Sequence, residues 1–494
     1  MGGAVILAED SRSLADLRAR GARAATGFES LGIGPGDRIA TLTRNCHESF
    51  EIAFAAASLG AYVVPINWHS AAPEVDYILK DSGASVLVAQ AGLLAPLRAQ
   101  LELAIPLLVI GANSEGDTDW AEWQAGFSAY DKPAPPPVGT MIYTSGTTGK
   151  PKGVRRMTPA PENTPASTRI VNLLFGLDRP GEIRTVVTGP MYHSAPNNWA
   201  MTMARADALV VLQDRFDPES LLRMIETHRI THLQMVPTMF WRLLKLPADT
   251  RARYDLTSLR FVVHAAAPCP PETKAAMLDW WGPVICEYYG ASEVGPITFC
   301  TPEDAQSKPG TIGRLVEGAV LEVCDPAGNR LGACEIGEFC MRQRLWPDFE
   351  YHGKPQARTE IERAGLVTVG DVGFIDDDGY VFMLDRKKDM VISGGVNIYP
   401  AEIEAVLIGM PGVRDCAVFG IPDDEYGESL AAHVQLSDTS VTETDVRSYI
   451  AEHLARFKVP KQIVFATDLP REDSGKIFKR KLRAPYWEAA GRQI

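Results

Sequence analysis

Three stretches in the first ninety residues repeat one order: helix, glycine stop, strand. In "SRSLADLRARGARAATGFESLGIGPGDRIATLT" apolar residues recur at helical spacing, a Gly/Pro break follows, and a β-rich run ends the segment. "SFEIAFAAASLGAYVVPIN" and "VDYILKDSGASVLVAQ" do the same. A strand joined to the next through a helix commonly pairs with it in parallel by a crossover, so the repeated alternation predicts a parallel α/β sheet with helices packed on it. A further run over 183–290 keeps this character. From about Gly310 it changes to short strands and a "DPAGN" turn, which predicts a small β-barrel-like unit. "VGFIDDDGYVFMLDR" reads as a hairpin around Asp-Gly. From Lys388 a compact α+β segment begins. The expected division is residues 1–387, a large parallel-rich α/β domain carrying the β unit, and 388–494, a small α+β domain. A chain of 494 residues also exceeds what one core usually supports.

The net charge of −13 argues against a general nucleic-acid binder, though a few local cations suffice for one nucleotide. No apolar run approaches the ~20 residues that span a bilayer, so no integral membrane segment is expected. The N-terminal stretch lacks a basic region ahead of its apolar run, so no secretory signal is expected. The eight cysteines form no CxxC pair and read as reduced thiols, which suits a cytoplasmic protein without a zinc site.

Four stretches carry chemistry. "YTSGTTGKPKG" packs hydroxyls, glycines and two lysines into eleven residues. Backbone N–H groups, hydroxyls and ammonium groups so concentrated suit a polyphosphate. It is not a Walker A loop: its glycines are too close, Pro151 follows Lys150, and Pro159, Pro161 and Pro165 discourage a following helix. Strands are expected on either side of it. "EYYGASEVG" sets an aromatic pair before a turn bearing Ser292 and Glu293. A ring can stack on a base, a hydroxyl can hold a phosphate oxygen, and a carboxylate can ligate Mg²⁺. Asp371, after a strand, can accept hydrogen bonds from both hydroxyls of a ribose. "LPREDSGKIFKRKL" places Lys476 in a glycine turn near the C-terminus.

Together with "PMYHSAP" and "GTIGR", these stretches in this order resemble the acyl-adenylate-forming superfamily, and within it the AMP-forming CoA ligases. The resemblance runs over nearly the whole chain. It implies that Thr144, Ser145, Gly146, Thr147, Thr148, Gly149 and Lys150 grip the phosphates of ATP. It sets Tyr289 against adenine, with Tyr288, Gly290, Ala291 and the backbone of Ala265 and Ala266 around it. Ser292, where the family has Thr, would hold a phosphate oxygen. Glu293 would ligate Mg²⁺, and Asp371 and Arg386 would hold the ribose. Lys476 would bridge the substrate carboxylate and the α-phosphate. Lys388 would be the hinge about which the small domain turns, bringing Gly394 and Gly395 beside the arm of coenzyme A. His193 would gate the passage between acyl pocket and thiol channel.

Candidates for the acyl pocket are His193, Ser194, Pro196, Asn197, Asn198, Trp199, Met203, Met235, Val236, Phe240, His264, Ala265, Tyr288 and Gly290. Most are apolar, which suits a medium or long acyl chain or an aromatic ring. Asn197, Asn198 and His264 either meet a hydroxyl on a hydroxycinnamate-type acid or bond elsewhere in the protein. The implied partners are a small carboxylic acid, ATP and coenzyme A, with an acyl-carrier protein as the alternative acceptor. The Pro-rich 158–167 segment reads as a lid or an oligomer contact, leaving a homodimer open.

Overall fold

A computed structural model describes residues 2–111, 116–136, 138–144, 151–471 and 477–490. The first helix, Leu14–Ser30, starts where the Ser13 hydroxyl accepts a hydrogen bond from the amide of Asp16. It buries Leu14, Leu17, Gly21, Ala24, Ala25 and Phe28, the 3- and 4-residue spacing of one face. Gly21 lets the helix His47–Leu59 come close: a β-carbon there would lie 2.8 Å from the Glu51 carbonyl oxygen.

The strands after these helices pair as the alternation predicts. Arg38–Leu42 lies between Tyr62–Pro65 and Val86–Gln90, with Leu107–Ile110 and Thr118–Asp119 beyond, all parallel. A second sheet of nine strands has a parallel centre. Ala4–Leu7, Leu209–Leu212, Arg184–Val187, His232–Met235, Phe261–His264 and Ile285–Ala291 run the same way. Antiparallel strands finish it: Asp10–Ser13 on one side, Gly295–Cys300 and Arg314–Leu315 on the other.

The β unit is a six-stranded antiparallel sheet built on the Ala319–Cys324 and Gly337–Gln343 hairpin and the Asp371–Ile375 and Val381–Arg386 hairpin. Ile142–Thr144, Lys152–Arg156 and Phe349–Tyr351 make a three-stranded sheet of their own. The strands expected beside the phosphate-binding stretch are thus present. The prolines after it do not prevent a helix: Thr164–Phe175 follows, with Pro165 in the first turn, where its missing N–H costs nothing. After Arg386, the next strand, Val391–Ser393, joins a separate five-stranded sheet that runs to Gln462–Phe465. Among the described residues no helix is long and apolar enough to cross a membrane.

Candidate active site

Strand Ile285–Ala291 turns back into Gly295–Cys300 through Ser292 and Glu293. Gly290 makes this turn possible, since a β-carbon on it would lie 2.2 Å from the Gly295 carbonyl oxygen. Just before the turn, the Tyr289 hydroxyl donates to Asp371 Oδ2 at 2.6 Å. Asp371 Oδ1 accepts from Arg386 Nε at 3.1 Å. Asp371 and Arg386 are register partners on adjacent strands, and Asp371 is only 2% exposed. Burial and the Asp371 charge push the Tyr289 hydroxyl far above its ordinary pKa, so it stays a donor. Two stretches far apart in sequence therefore meet at the Asp371 carboxylate.

Glu293 is half-buried, and its Oε1 accepts from the Tyr351 hydroxyl at 3.0 Å. Lys152 is buried, its Nζ 5.0 Å from the centre of the Tyr351 ring. Arg156 donates from Nη2 to the Ser292 carbonyl at 2.6 Å and from Nη1 to the Pro347 carbonyl at 2.8 Å. Loss of water pulls the Arg156 pKa down to about 10, against the pull of Glu293 and Asp348. On the other flank, Tyr143 donates to Asp81 Oδ2 at 2.9 Å. Lys354 Nζ reaches Asp81 Oδ1 at 2.7 Å and the Tyr77 hydroxyl at 2.9 Å, and Tyr77 donates to the Pro151 carbonyl. Both stems of the Gly/Ser/Thr stretch are tied down, at Tyr143 and at Pro151. Ser145, Gly146, Thr147, Thr148, Gly149, Lys150 and Lys476 lie outside the described residues. Thr144 ends its strand opposite Lys152. Ala265 and Ala266 follow the strand ending at His264, Ala266 with a φ of 74°.

The acyl-pocket candidates divide. The nine-stranded sheet has two faces. Trp199 and Tyr288 belong to the core on one, with Met203, Val263 and Cys286. Met235 and Phe240 belong to the other, with Val262 and Ile285. His264, one residue on from Val263, shares the second face and meets the Phe240 ring edge-on at 5.3 Å. It is fully buried, 3.7 Å from Glu287, which is ion-paired with Lys274. Burial and then the Lys274 charge hold His264 well below its ordinary pKa, hence neutral. Met235 and His264 are therefore not beside Trp199 and Tyr288, and one pocket cannot use all four on one face of the sheet. Strand alternation likewise separates Tyr288 from Tyr289, so the pair does not act as one aromatic platform. Trp199 is itself committed: its Nε1 donates to Thr185 Oγ1 at 2.9 Å and its ring packs on Phe175.

Asn197 is buried with both ends of its amide in use, accepting from Thr140 and donating to the Met191 carbonyl, so it bonds within the protein. Asn198 is exposed and contacts Ser194 at 3.4 Å. His193 immediately precedes the helix Ser194–Arg205 without a side-chain cap bond to it, its ring 4.4 Å from that of Tyr192. Gly394 and Gly395, both with positive φ, form the tip of the Val391–Ile398 hairpin, where the Gly394 amide donates to Tyr426. Lys388 is exposed just past Arg386, and Arg483 donates to its carbonyl. Arg156, Tyr351, Lys354, Tyr77 and Asp81 were not foreseen. The paired arginines inside the strand "KGVRR" were the one sequence signal for Arg156: alternation sends one of them inward.

The AMP-binding enzyme family matches residues 3–345, and the AMP-binding enzyme C-terminal domain matches 402–476. A feruloyl-CoA synthase from Amycolatopsis sp is 35% identical over 489 residues, 96% of this chain and 93% of that protein. The fatty acid–[acyl-carrier-protein] ligase ScoC of Streptomyces coeruleorubidus is 33% identical over 494 residues, 96% of this chain and 91% of its own. The crystal structure of the anthranilate CoA ligase AuaEII in complex with anthranoyl-AMP superposes with a TM-score of 0.86 at 26% identity, over 99% of this chain and 95% of that one. The hairpin that joins Tyr289 to Asp371 and Arg386 is therefore set in a shared fold along the whole length, and the chain belongs to the AMP-binding enzyme family, among its acyl-adenylate-forming acid–thiol ligases.

Proposed function

We propose that this chain joins a carboxylic acid to coenzyme A at the expense of ATP, releasing AMP and pyrophosphate through an acyl-adenylate. The observation that carries the reading is the Asp371 carboxylate with its two partners. Each of its oxygens spends one acceptor site, on Tyr289 and on Arg386. A carboxylate offers about four such sites, so each oxygen keeps acceptor capacity that the two hydroxyls of a ribose would use. Tyr289 then offers its ring to adenine with its hydroxyl already satisfied.

In the first step the acid's carboxylate attacks the α-phosphorus and pyrophosphate leaves. The Thr144–Lys150 stretch would hold the departing phosphates, and Lys476 would draw the two reacting anions together. In the second step the thiol of coenzyme A attacks the acyl carbonyl and AMP leaves. The small domain, 388–494, would turn about Lys388 between the steps and bring Gly394 and Gly395 to the thiol's path. The residues fit Mg²⁺ in one respect: Glu293 and the hydroxyls of Thr144 and Ser292 are hard oxygen donors. Among the described residues no group of three or more His, Cys, Asp or Glu could hold an ion alone, so it would arrive on the phosphates of ATP. Bound there, it would offset the charge that pyrophosphate carries away.

The acid is a medium or long fatty acid or an aromatic, hydroxycinnamate-type acid. The apolar surroundings of Trp199 and Tyr288 and the likeness to a feruloyl-CoA synthase support this. The likeness to ScoC favours a second reading, in which the acceptor is an acyl-carrier protein. AMP release measured with fatty, aryl and hydroxycinnamic acids, each with and without coenzyme A, separates them. Turnover that requires coenzyme A and yields the thioester supports the ligase. Acid-dependent pyrophosphate release without transfer to coenzyme A moves the acceptor to a carrier protein. Silence with every acid rejects both substrate classes.

A further inference from the structure

Strand Lys152–Arg156 leaves the Gly/Ser/Thr stretch and ends in a guanidinium directed at two backbone carbonyls. One belongs to Ser292, immediately before Glu293. The other belongs to Pro347, at the head of the segment that delivers Tyr351, the hydrogen-bond donor to Glu293. Arg156 thus holds the backbone that carries Glu293 and the segment that supplies its partner. Its own carbonyl is fixed too, by the Tyr62 hydroxyl at 2.7 Å.

We propose that Arg156 is a positioning residue for the metal-bearing side of the ATP site: it sets the place of Glu293 through the Ser292 and Pro347 carbonyls, beyond the direct attraction of the two charges. This rests on the reading of Glu293 as the ligand of MgATP. A planar fork with separate nitrogens can satisfy two divergent carbonyls at once, whereas a lysine offers a single nitrogen. Removing it frees the Ser292–Glu293 turn and the Pro347 turn independently. A displacement of even ~1 Å at a positioned group costs up to roughly a hundredfold.

The test compares ATP binding by calorimetry in excess Mg²⁺ and in EDTA, without acid or coenzyme A. Arg156→Met should weaken binding about tenfold or more in Mg²⁺ and less than twofold in EDTA. Arg156→Lys should fall between it and the parent, and it carries the same comparison should the Met variant fold poorly. Glu293→Gln should show the same Mg²⁺-selective loss. The double variant Arg156→Met/Glu293→Gln should bind MgATP no more weakly than Glu293→Gln alone. Equal losses with and without Mg²⁺, or additive losses in the double variant, overturn the positioning role and leave Arg156 a structural tie. If Glu293→Gln itself shows no Mg²⁺-selective loss, the reading of Glu293 fails and the proposal falls with it.

Discussion

At the scale of single residues, Asp371 and Tyr289 make separable contributions. Tyr289→Phe keeps the ring and the packing on Phe339 and removes one hydrogen bond to Asp371. Such a bond to a charged acceptor is worth about 1.5–3 kcal/mol. If the ring is what binds adenine, ATP affinity in this variant should fall by less than tenfold, while Tyr289→Ala should lose far more. Asp371→Ala removes both proposed ribose sites and also leaves Arg386 without its carboxylate. It should raise the KM for ATP at least tenfold and lower the melting temperature as well. Asp371→Asn keeps the shape and should show the larger part of the KM effect with less loss of stability. Steady-state kinetics on the four variants, with melting curves, checks each outcome. Arg156 differs from these residues in kind. Its contacts are carbonyls 136 and 191 residues away, and nothing in the run "GVRRM" names them.

At the scale of elements, strand alternation decides what a list of pocket residues cannot. The helix–strand order of the first ninety residues was legible because each helix buries one face at 3.6-residue spacing and each strand needs a crossover. The hairpin around Asp376–Gly379 was legible from its turn residues. Which face a side chain takes is fixed by register between strands far apart in sequence. For that reason His264 and Met235, adjacent to the pocket stretches in sequence, lie on the far face with the helices Pro237–Leu244 and Pro271–Trp281. The tie of Tyr77, Asp81 and Lys354 across more than 270 residues was beyond a local reading for the same reason. The far face carries its own prediction. Lys274 and Glu287 are both buried; burial works against the Lys274 charge, and Glu287 overcomes it. Lys274→Met leaves a buried carboxylate without its partner and should cost about 3–5 kcal/mol. Lys274→Met/Glu287→Gln should recover most of that loss, since no charge is left behind. Urea unfolding of the parent and the two variants tests it, and equal losses in both would argue against an ion-pair origin.

At the scale of the molecule, two buried histidines link stability to pH. Burial lowers the pKa of His232 to about 4, and that of His264 lies well below 6.5. The unfolded chain therefore takes up these protons first as pH falls. Stability is full above pH 6.5 and is lost as pH drops below it, by about 2 kcal/mol at pH 5 for His232. Replacing His232 by Gln should flatten the fall in urea midpoint between pH 7 and pH 5. The two half-reactions supply the other test at this scale. Lys388 lies in a turn whose neighbours are all pinned: the Lys387 amide bonds to Gly370, and those of Asp389 and Met390 bond to Arg386. A turn of the small domain at this point would have to break the Asp389 and Met390 bonds to Arg386, which span Lys388, and the Arg483 bond to the Lys388 carbonyl. Lys388→Pro fixes φ near −65° and should block the turn needed for transfer to coenzyme A. Acid-dependent pyrophosphate exchange should survive within a few fold, while thioester formation from supplied acyl-AMP should fall at least a hundredfold. Lys476→Ala should do the reverse if, as proposed, its charge serves only where the acid meets the α-phosphate. Parallel loss of both half-reactions in Lys388→Pro would mean that the substitution damages the fold, and unimpaired transfer would move the hinge away from Lys388.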